Sequence, residues 1–170
     1  MKATGIVRRI DDLGRIVIPK EIRRTLRVRE SDPLEIFTDR EGMIILKKYS
    51  PIGEMGHFVK AYVEVMAKTL NATICITDTD SIIAAAGSGW KELMDQPLHK
   101  NMDKSMEERR MIKDKAFFSG YEQQILMPIL NAGDVIGSVL LLKNEGSVTE
   151  ADLKVIEAAA GFIGKHMENA

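Results

Sequence analysis

Ser50-Pro51 breaks a strand pattern and divides this chain into a head, residues 1–50, and a body, residues 53–170. The head is the tighter constraint on the fold, because fifty residues with so few apolar side chains cannot close a core alone. Segments of that size need a disulfide, a metal or a partner chain. The only cysteine, Cys75, lies outside the head, and no Cys/His cluster shows ligand spacing. The remaining stabiliser is a second copy, so the head is expected to fold as an obligate, interleaved dimer.

Within the head, Gly5–Ile10 reads as a strand, Asp11-Asp12-Leu13-Gly14 as a turn and Arg15–Ile18 as a second strand apolar enough to be covered on both faces. Pro19 opens a short helix, since its fixed φ suits a first helical position. Ile22 and Leu26 sit one turn apart on the inner side of that helix, with Lys20, Arg23, Arg24 and Arg27 elsewhere on its surface. Pro33–Thr38 and Met43–Lys48 complete the head as two strands around Asp39-Arg40-Glu41-Gly42.

Charge divides at the same point. Residues 1–50 hold 12 Lys and Arg against 8 Asp and Glu, whereas residues 51–170 hold 12 against 17. A basic head on an acidic body points to a polyanionic partner, and for a small domain that partner is most often nucleic acid. The segments TGIVRRIDDLGRIVIPKEIRRTLRV, DPLEIF and IILKKY resemble the N-terminal domain of AbrB-type transition-state regulators over nearly all of residues 1–50. That resemblance implies a dimeric swapped-hairpin β-barrel that binds double-stranded DNA. It implies DNA-facing roles for Arg8, Arg15, Arg23 and Arg24, with Lys2 and Arg9 as outer contacts. A solvated charged face is the alternative reading of these arginines; Lys47 and Lys48 fit solvated strand ends better than contacts.

In the body, Ile52, Met55, Val59, Tyr62 and Met66 follow the three-four spacing of a helical seam that runs to Leu70. Ala72–Thr77 and Ser81–Ala86 read as strands, Leu98–Lys113 as a helix, and Glu122–Leu130 with Val135–Lys143 as a hairpin. A final helix begins at Thr149, where Leu153, Ile156, Ala160, Ile163 and Met167 make a second seam and Val155, Ala159 and Phe162 a neighbouring stripe. These elements describe an α+β sheet with flanking helices. MPILNAGDVIGSVLLLK resembles the paired central strands of a GAF domain, and the two halves together resemble the AbrB–GAF regulators of sporulation genes. The two seams are expected to join bodies of neighbouring chains through a four-helix contact, with one stripe of the final helix packing on the body's own sheet and the other left for the partner, giving a homodimer or a homotetramer with the head contact. The alternative is that both helices only cover the sheet of one chain.

The resemblance also implies a small-molecule ligand in the body, with contacts expected from residues 87–120. Trp90, Met94, Met102, Met106, Met111, Phe117 and Phe118 suit either a Met-rich lid over a pocket or ordinary core filling, and core filling is the better-supported of the two. Cys75 reads as a small buried hydrophobe, and His57, His99 and His166 as surface or helix-end residues. No acid, base and nucleophile set is assembled, so no enzyme and no cofactor are expected; thiol reduction of methionine sulfoxide needs a resolving cysteine that Cys75 lacks. The longest apolar run, Val135–Leu142, is too short to cross a membrane, and the sequence opens without a secretory apolar segment, which places the protein in the cytoplasm. The expectation is a DNA-binding transcriptional regulator, activating, repressing or both. Its rival is an antitoxin-type protein that binds DNA with the head and a partner protein with the body.

Overall fold

The structure is a computed structural model that describes residues 5–30, 32–94, 96 and 98–168. It divides into two compact units, Met1–Tyr49 and Ser50–Ala170.

In the head, helix α1 (Lys20–Thr25) starts after Pro19, and strands β1 (Leu34–Thr38) and β2 (Ile44–Lys48) form an antiparallel hairpin in which Ile36 faces Leu46. Asp39 builds the hairpin loop by accepting the N–H groups of Glu41 at 3.0 Å and Met43 at 2.8 Å. The expected strands Gly5–Ile10 and Arg15–Ile18 do not form within the single chain. A strand exists only when a neighbour takes its N–H and C=O groups in a continuous ladder, and among the described residues of the head neither segment is paired in one. The turn between them is closed by the Asp11 N–H donating to the Arg15 carbonyl at 2.9 Å.

The head also leaves its apolar side chains uncovered. Val7 is 85% exposed, Val17 72% and Ile36 66%. Leu26, expected on the inner side of α1, is exposed as well, and Ile22 is half-buried.

The body is an antiparallel five-stranded sheet in the order β4-β3-β7-β6-β5, made of β3 (Thr73–Thr77), β4 (Ile82–Ala86), β5 (Ile112–Lys115), β6 (Gln123–Asn131) and β7 (Asp134–Lys143). Helices α2 (Pro51–Glu54), α3 (Gly56–Leu70) and α6 (Glu150–Glu168) cover one face, and α4 (Trp90–Met94) with α5 (Lys100–Glu108) covers the other. Because both faces are covered, the central strands are apolar throughout rather than alternating with polar residues. Along β7, Val139 and Leu141 enter the α3/α6 side while Leu140 and Leu142 enter the α4/α5 side.

Backbone contacts fix the layers closely. A Cβ on Gly137 would lie 1.9 Å from the Thr77 carbonyl oxygen, and one on Gly164 would lie 2.1 Å from that of Leu130. Only glycine lets β7 and α6 come so near their neighbours. Beside Gly137, the buried hydroxyls of Thr77 and Ser138 bond at 2.8 Å. The start of α6 is a capping arrangement in which Asp152 accepts the Thr149 N–H at 2.8 Å and its hydroxyl at 2.9 Å, while the Thr149 hydroxyl oxygen accepts the Asp152 N–H at 3.1 Å.

Two expectations need correction here. The helix over Leu98–Lys113 ends at Glu108, because Arg109 turns left-handed (φ 52°) and the next residues join the sheet edge as β5, where Ile112 pairs with Leu126. The helix from Ile52 is two helices, parted at Met55, with Ser50 capping the first by accepting the Gly53 N–H at 3.1 Å.

Candidate nucleic-acid interface

The groove left by the uncovered head residues has a volume of about 510 Å³. Ile6, Ile16, Val17, Ile22, Leu26, Val28, Leu34, Ile44 and Leu46 line it, with Arg8, Lys47 and Lys48 at its polar margin. It is an apolar trough on a small unit, with the size and lining of a seat for a protein segment. The sequence signal for it was the apolar doublets Ile6-Val7, Ile16-Val17 and Ile44-Ile45, which no helix or sheet of one head can bury on both faces.

Around the groove the basic side chains divide into tethered and free. Arg15 is held to Asp11 through Nε at 2.8 Å, and Arg23 lies 3.8 Å from Glu30. Arg8, Arg9 and Arg24 are exposed and have no ion-pair partner among the described residues. Lys2 lies outside the described residues. Lys48 pairs with Asp32 at 2.9 Å, which takes it out of competition for an external anion. The backbone N–H and side chain of Arg15, with the Leu13 N–H, hold the Asp11 carboxyl below the usual carboxylate range against a small opposing effect of burial. For Asp32 burial pushes the other way, but the Arg29 N–H and Lys48 still bring it below that range. Both acids therefore stay ionised and hold the loops in which the arginines sit. Asp11 in particular was legible only as a turn residue; its hold on Arg15 comes from the three-dimensional turn.

The body's expected contact residues are placed differently from the expectation. Ile52, Val59, Met66, Ile156, Ala160 and Ile163 are buried in the body's own core, and Met55, Tyr62 and Leu153 pack partly against it. Seam spacing identified the face that meets the sheet, so those six side chains are not free for a partner. Met167 is half-buried. The apolar residues left outward are Phe58 (37% exposed), Val65 (64%), Val155 (37%) and Phe162 (51%). Phe58 stacks on Tyr62 at 5.8 Å and on His166 at 5.4 Å, and Phe162 stands 6.1 Å from Phe58, so α3 and α6 share one outward aromatic cluster.

On the other face of the sheet, Met102, Met106 and Phe118 are core residues, whereas Trp90, Met94 and Met111 are partly exposed. The Cys75 thiol is fully buried, and burial pushes it up to about 12. It is inert as a nucleophile at neutral pH. His99 caps α5 by accepting the Asn101 N–H at 3.2 Å and stacks on Phe117 at 4.7 Å. A cleft of about 580 Å³ opens at the end of the sheet between Glu64, Lys68, Asn71, Gly87, Ser88 and Asn144. No metal-binding cluster exists among the described residues, and no helix is long and apolar enough to cross a membrane.

The chain matches known proteins in two separate segments. Residues 54–168 match the family described as stage V sporulation protein T C-terminal, transcription factor, and residues 7–54 match the family described as antidote-toxin recognition MazE, bacterial antitoxin. The chain is 45% identical to stage V sporulation protein T of Bacillus subtilis over 99% of both chains. Its head is 65% identical to the transition state regulatory protein AbrB of the same organism, over 30% of this chain and 52% of that one. The body superposes on the GAF domain region of a membrane protein from Geobacter sulfurreducens with a TM-score of 0.58 at 12% identity, covering 71% of this chain and 97% of the other. At that identity the likeness shows a GAF-type fold.

Proposed function

The chain belongs to the stage V sporulation protein T family of transcription factors, and from that premise we propose that two heads interleave to grip double-stranded DNA while the bodies assemble the protein and sense a small ligand. One observation carries the reading: the head has an apolar groove of about 510 Å³ and leaves Val7 and Val17 largely in solvent, so it is incomplete as a single copy. A second head filling that groove doubles Arg8, Arg9, Arg15, Arg23 and Arg24 on one small particle. Lys2 joins them as an outer contact. Such a particle binds chiefly through phosphates and groove shape, because the six-residue α1 is too short to read a major groove along its length.

The outward cluster of Phe58, Tyr62, Phe162 and His166 supports a second contact between copies, made by α3 and α6. With the head contact it gives a dimer if both join the same two chains and a tetramer if they do not. The regulator acts in the cytoplasm, on sporulation genes; its one thiol is buried, which supports a reading without thiol catalysis. The antitoxin reading gains support from the match of residues 7–54, but an antitoxin tail that wraps a toxin is an extended segment. Residues 50–170 instead own two buried clusters on either side of a sheet, which supports the regulator.

The test is a fluorescence-anisotropy titration of double-stranded DNA with the native chain and with the Arg23→Ala/Arg24→Ala pair. Loss of affinity with the fold retained is expected. Equal affinity in the two proteins would refute the assignment.

A further inference from the structure

Asp11 is a carboxylate set among Arg8, Arg9 and Arg15 on the face proposed to meet DNA, where simple electrostatics disfavours a negative charge. Its geometry gives it another task. One carboxylate oxygen, Oδ1, accepts the N–H groups of Leu13 at 3.0 Å and Arg15 at 2.7 Å. The other, Oδ2, accepts the Arg15 Nε–H at 2.8 Å. The main chain is tied on both sides of this clamp, by the Asp11 N–H donating to the Arg15 carbonyl at 2.9 Å and the Gly14 N–H donating to the Asp11 carbonyl at 3.0 Å. Gly14 adopts φ 76°, which closes the turn without strain.

The clamp uses only the Nε side of the guanidinium. Arg15 remains 70% exposed, and its Nη1 and Nη2 groups have no hydrogen-bond partner among the described residues. Those two nitrogens form the edge that meets a phosphate with two parallel hydrogen bonds. An untethered arginine loses rotamer freedom when it docks on a phosphate; one already fixed through Nε loses less.

We propose that Asp11 is a positioning residue for DNA binding, which holds Arg15 through Nε so that its Nη edge is presented to a backbone phosphate. The inference rests on the DNA-binding reading above. It opposes two simpler views. As an ordinary exposed ion pair, Asp11 would matter little to binding. As a bare negative charge near phosphates, its removal would raise affinity.

The experiment measures affinity of the full chain for a synthetic double-stranded DNA at several salt concentrations, using native protein, Asp11→Asn, Arg15→Ala and the double variant. Asn keeps an oxygen for the turn N–H bonds and replaces the acceptor of the Nε–H by an amide. Asp11→Asn is expected to weaken binding about tenfold and to flatten the log–log salt slope by about 1.8, the value for one lost phosphate contact per chain in a dimer. In the Arg15→Ala background the same substitution should leave affinity unchanged or raise it. Circular dichroism and sedimentation check fold and assembly, and Asp11→Ser, which also keeps a turn acceptor, replaces Asp11→Asn if that variant misfolds. Binding by Asp11→Asn as tight as native or tighter, or equal weakening with and without Arg15, overturns the proposal. If Arg15→Ala binds like the native chain, the DNA contact of Arg15 fails, and the role of Asp11 fails with it.

Discussion

Phe162 and Ile163 are adjacent in α6 but point to different neighbours, and exchanging them one at a time separates assembly from folding. Phe162 is 51% exposed and stands 6.0 Å from Tyr62 and 6.2 Å from His166, whereas Ile163 is fully buried in the core. A phenylalanine contributes about 200 Å² of surface, so the exposed half offers about 100 Å² to a partner; at about 25 cal/mol per Å² that is about 2.5 kcal/mol per chain. A symmetric contact uses it twice, about 5 kcal/mol in all, which corresponds to a loss of roughly 10³–10⁴-fold in association for Phe162→Glu. Ile163→Ala should instead cost about 2–5 kcal/mol of folding stability, by leaving a cavity under α6, with association little changed among folded molecules. Sedimentation equilibrium of residues 50–170 reads the first effect, and thermal unfolding reads the second. If Phe162→Glu associates like the native body, or if the native body is monomeric at micromolar concentration, α3 and α6 do not form a contact between copies.

Asp152→Asn keeps one side-chain oxygen for Thr149 but removes the negative charge that faces Lys143, whose Nζ lies 2.9 Å away, and should lower stability at pH 7 by about 1–3 kcal/mol. Burial works against ionisation of Asp152, but the Thr149 N–H, Lys143 and the Thr149 hydroxyl hold its carboxyl below the usual range. The stabilisation is therefore complete above the unfolded value of about 3.9 and is lost as pH falls through the lower folded one. Denaturant titrations of the native and Asn proteins should accordingly converge as pH falls through the lowered folded value; a gap independent of pH would contradict the ionised cap. Cys75, with its thiol pushed up to about 12, should resist a thiol-labelling reagent at pH 8 until denaturant is added, and Cys75→Ala should bind DNA like the native chain. Rapid labelling of the native fold would show that the central sheet opens.

Much of the body was legible because its strongest signals are local. The run Val139–Leu142 and the turn at Asn131–Asp134 specify a hairpin buried on both faces, and Thr149 with Asp152 marks the start of α6. The end of α5 was not legible, since Arg109 takes the left-handed conformation that usually announces itself as glycine or asparagine. Strand β5, Ile112-Lys113-Asp114-Lys115, is too polar to read as a strand and exists because β6 offers it an edge. The choice between the Ile156/Ile163 stripe and the Phe162 stripe depends on how α6 lies across the sheet, which three-four spacing does not encode. In the head, the apolar pattern of Gly5–Ile10 and Arg15–Ile18 is strand-like, but among the described residues of a single chain neither segment joins a sheet. For the residues proposed to face DNA, the sequence shows only a basic set, while the division into tethered Arg15 and Arg8, Arg9 and Arg24 without an ion-pair partner among the described residues needed the turn built by Asp11.

The most direct measurement of the central claim is the salt dependence of DNA affinity for the full chain. If Arg8, Arg15, Arg23 and Arg24 from two heads meet phosphates, about eight contacts form and the logarithm of the binding constant should fall with the logarithm of salt at a slope of roughly −7. The Arg23→Ala/Arg24→Ala protein, with half of those contacts, should give roughly −3.5 with its assembly unchanged. A native slope near −2, or the same slope in both proteins, would contradict a paired-head grip on the DNA backbone.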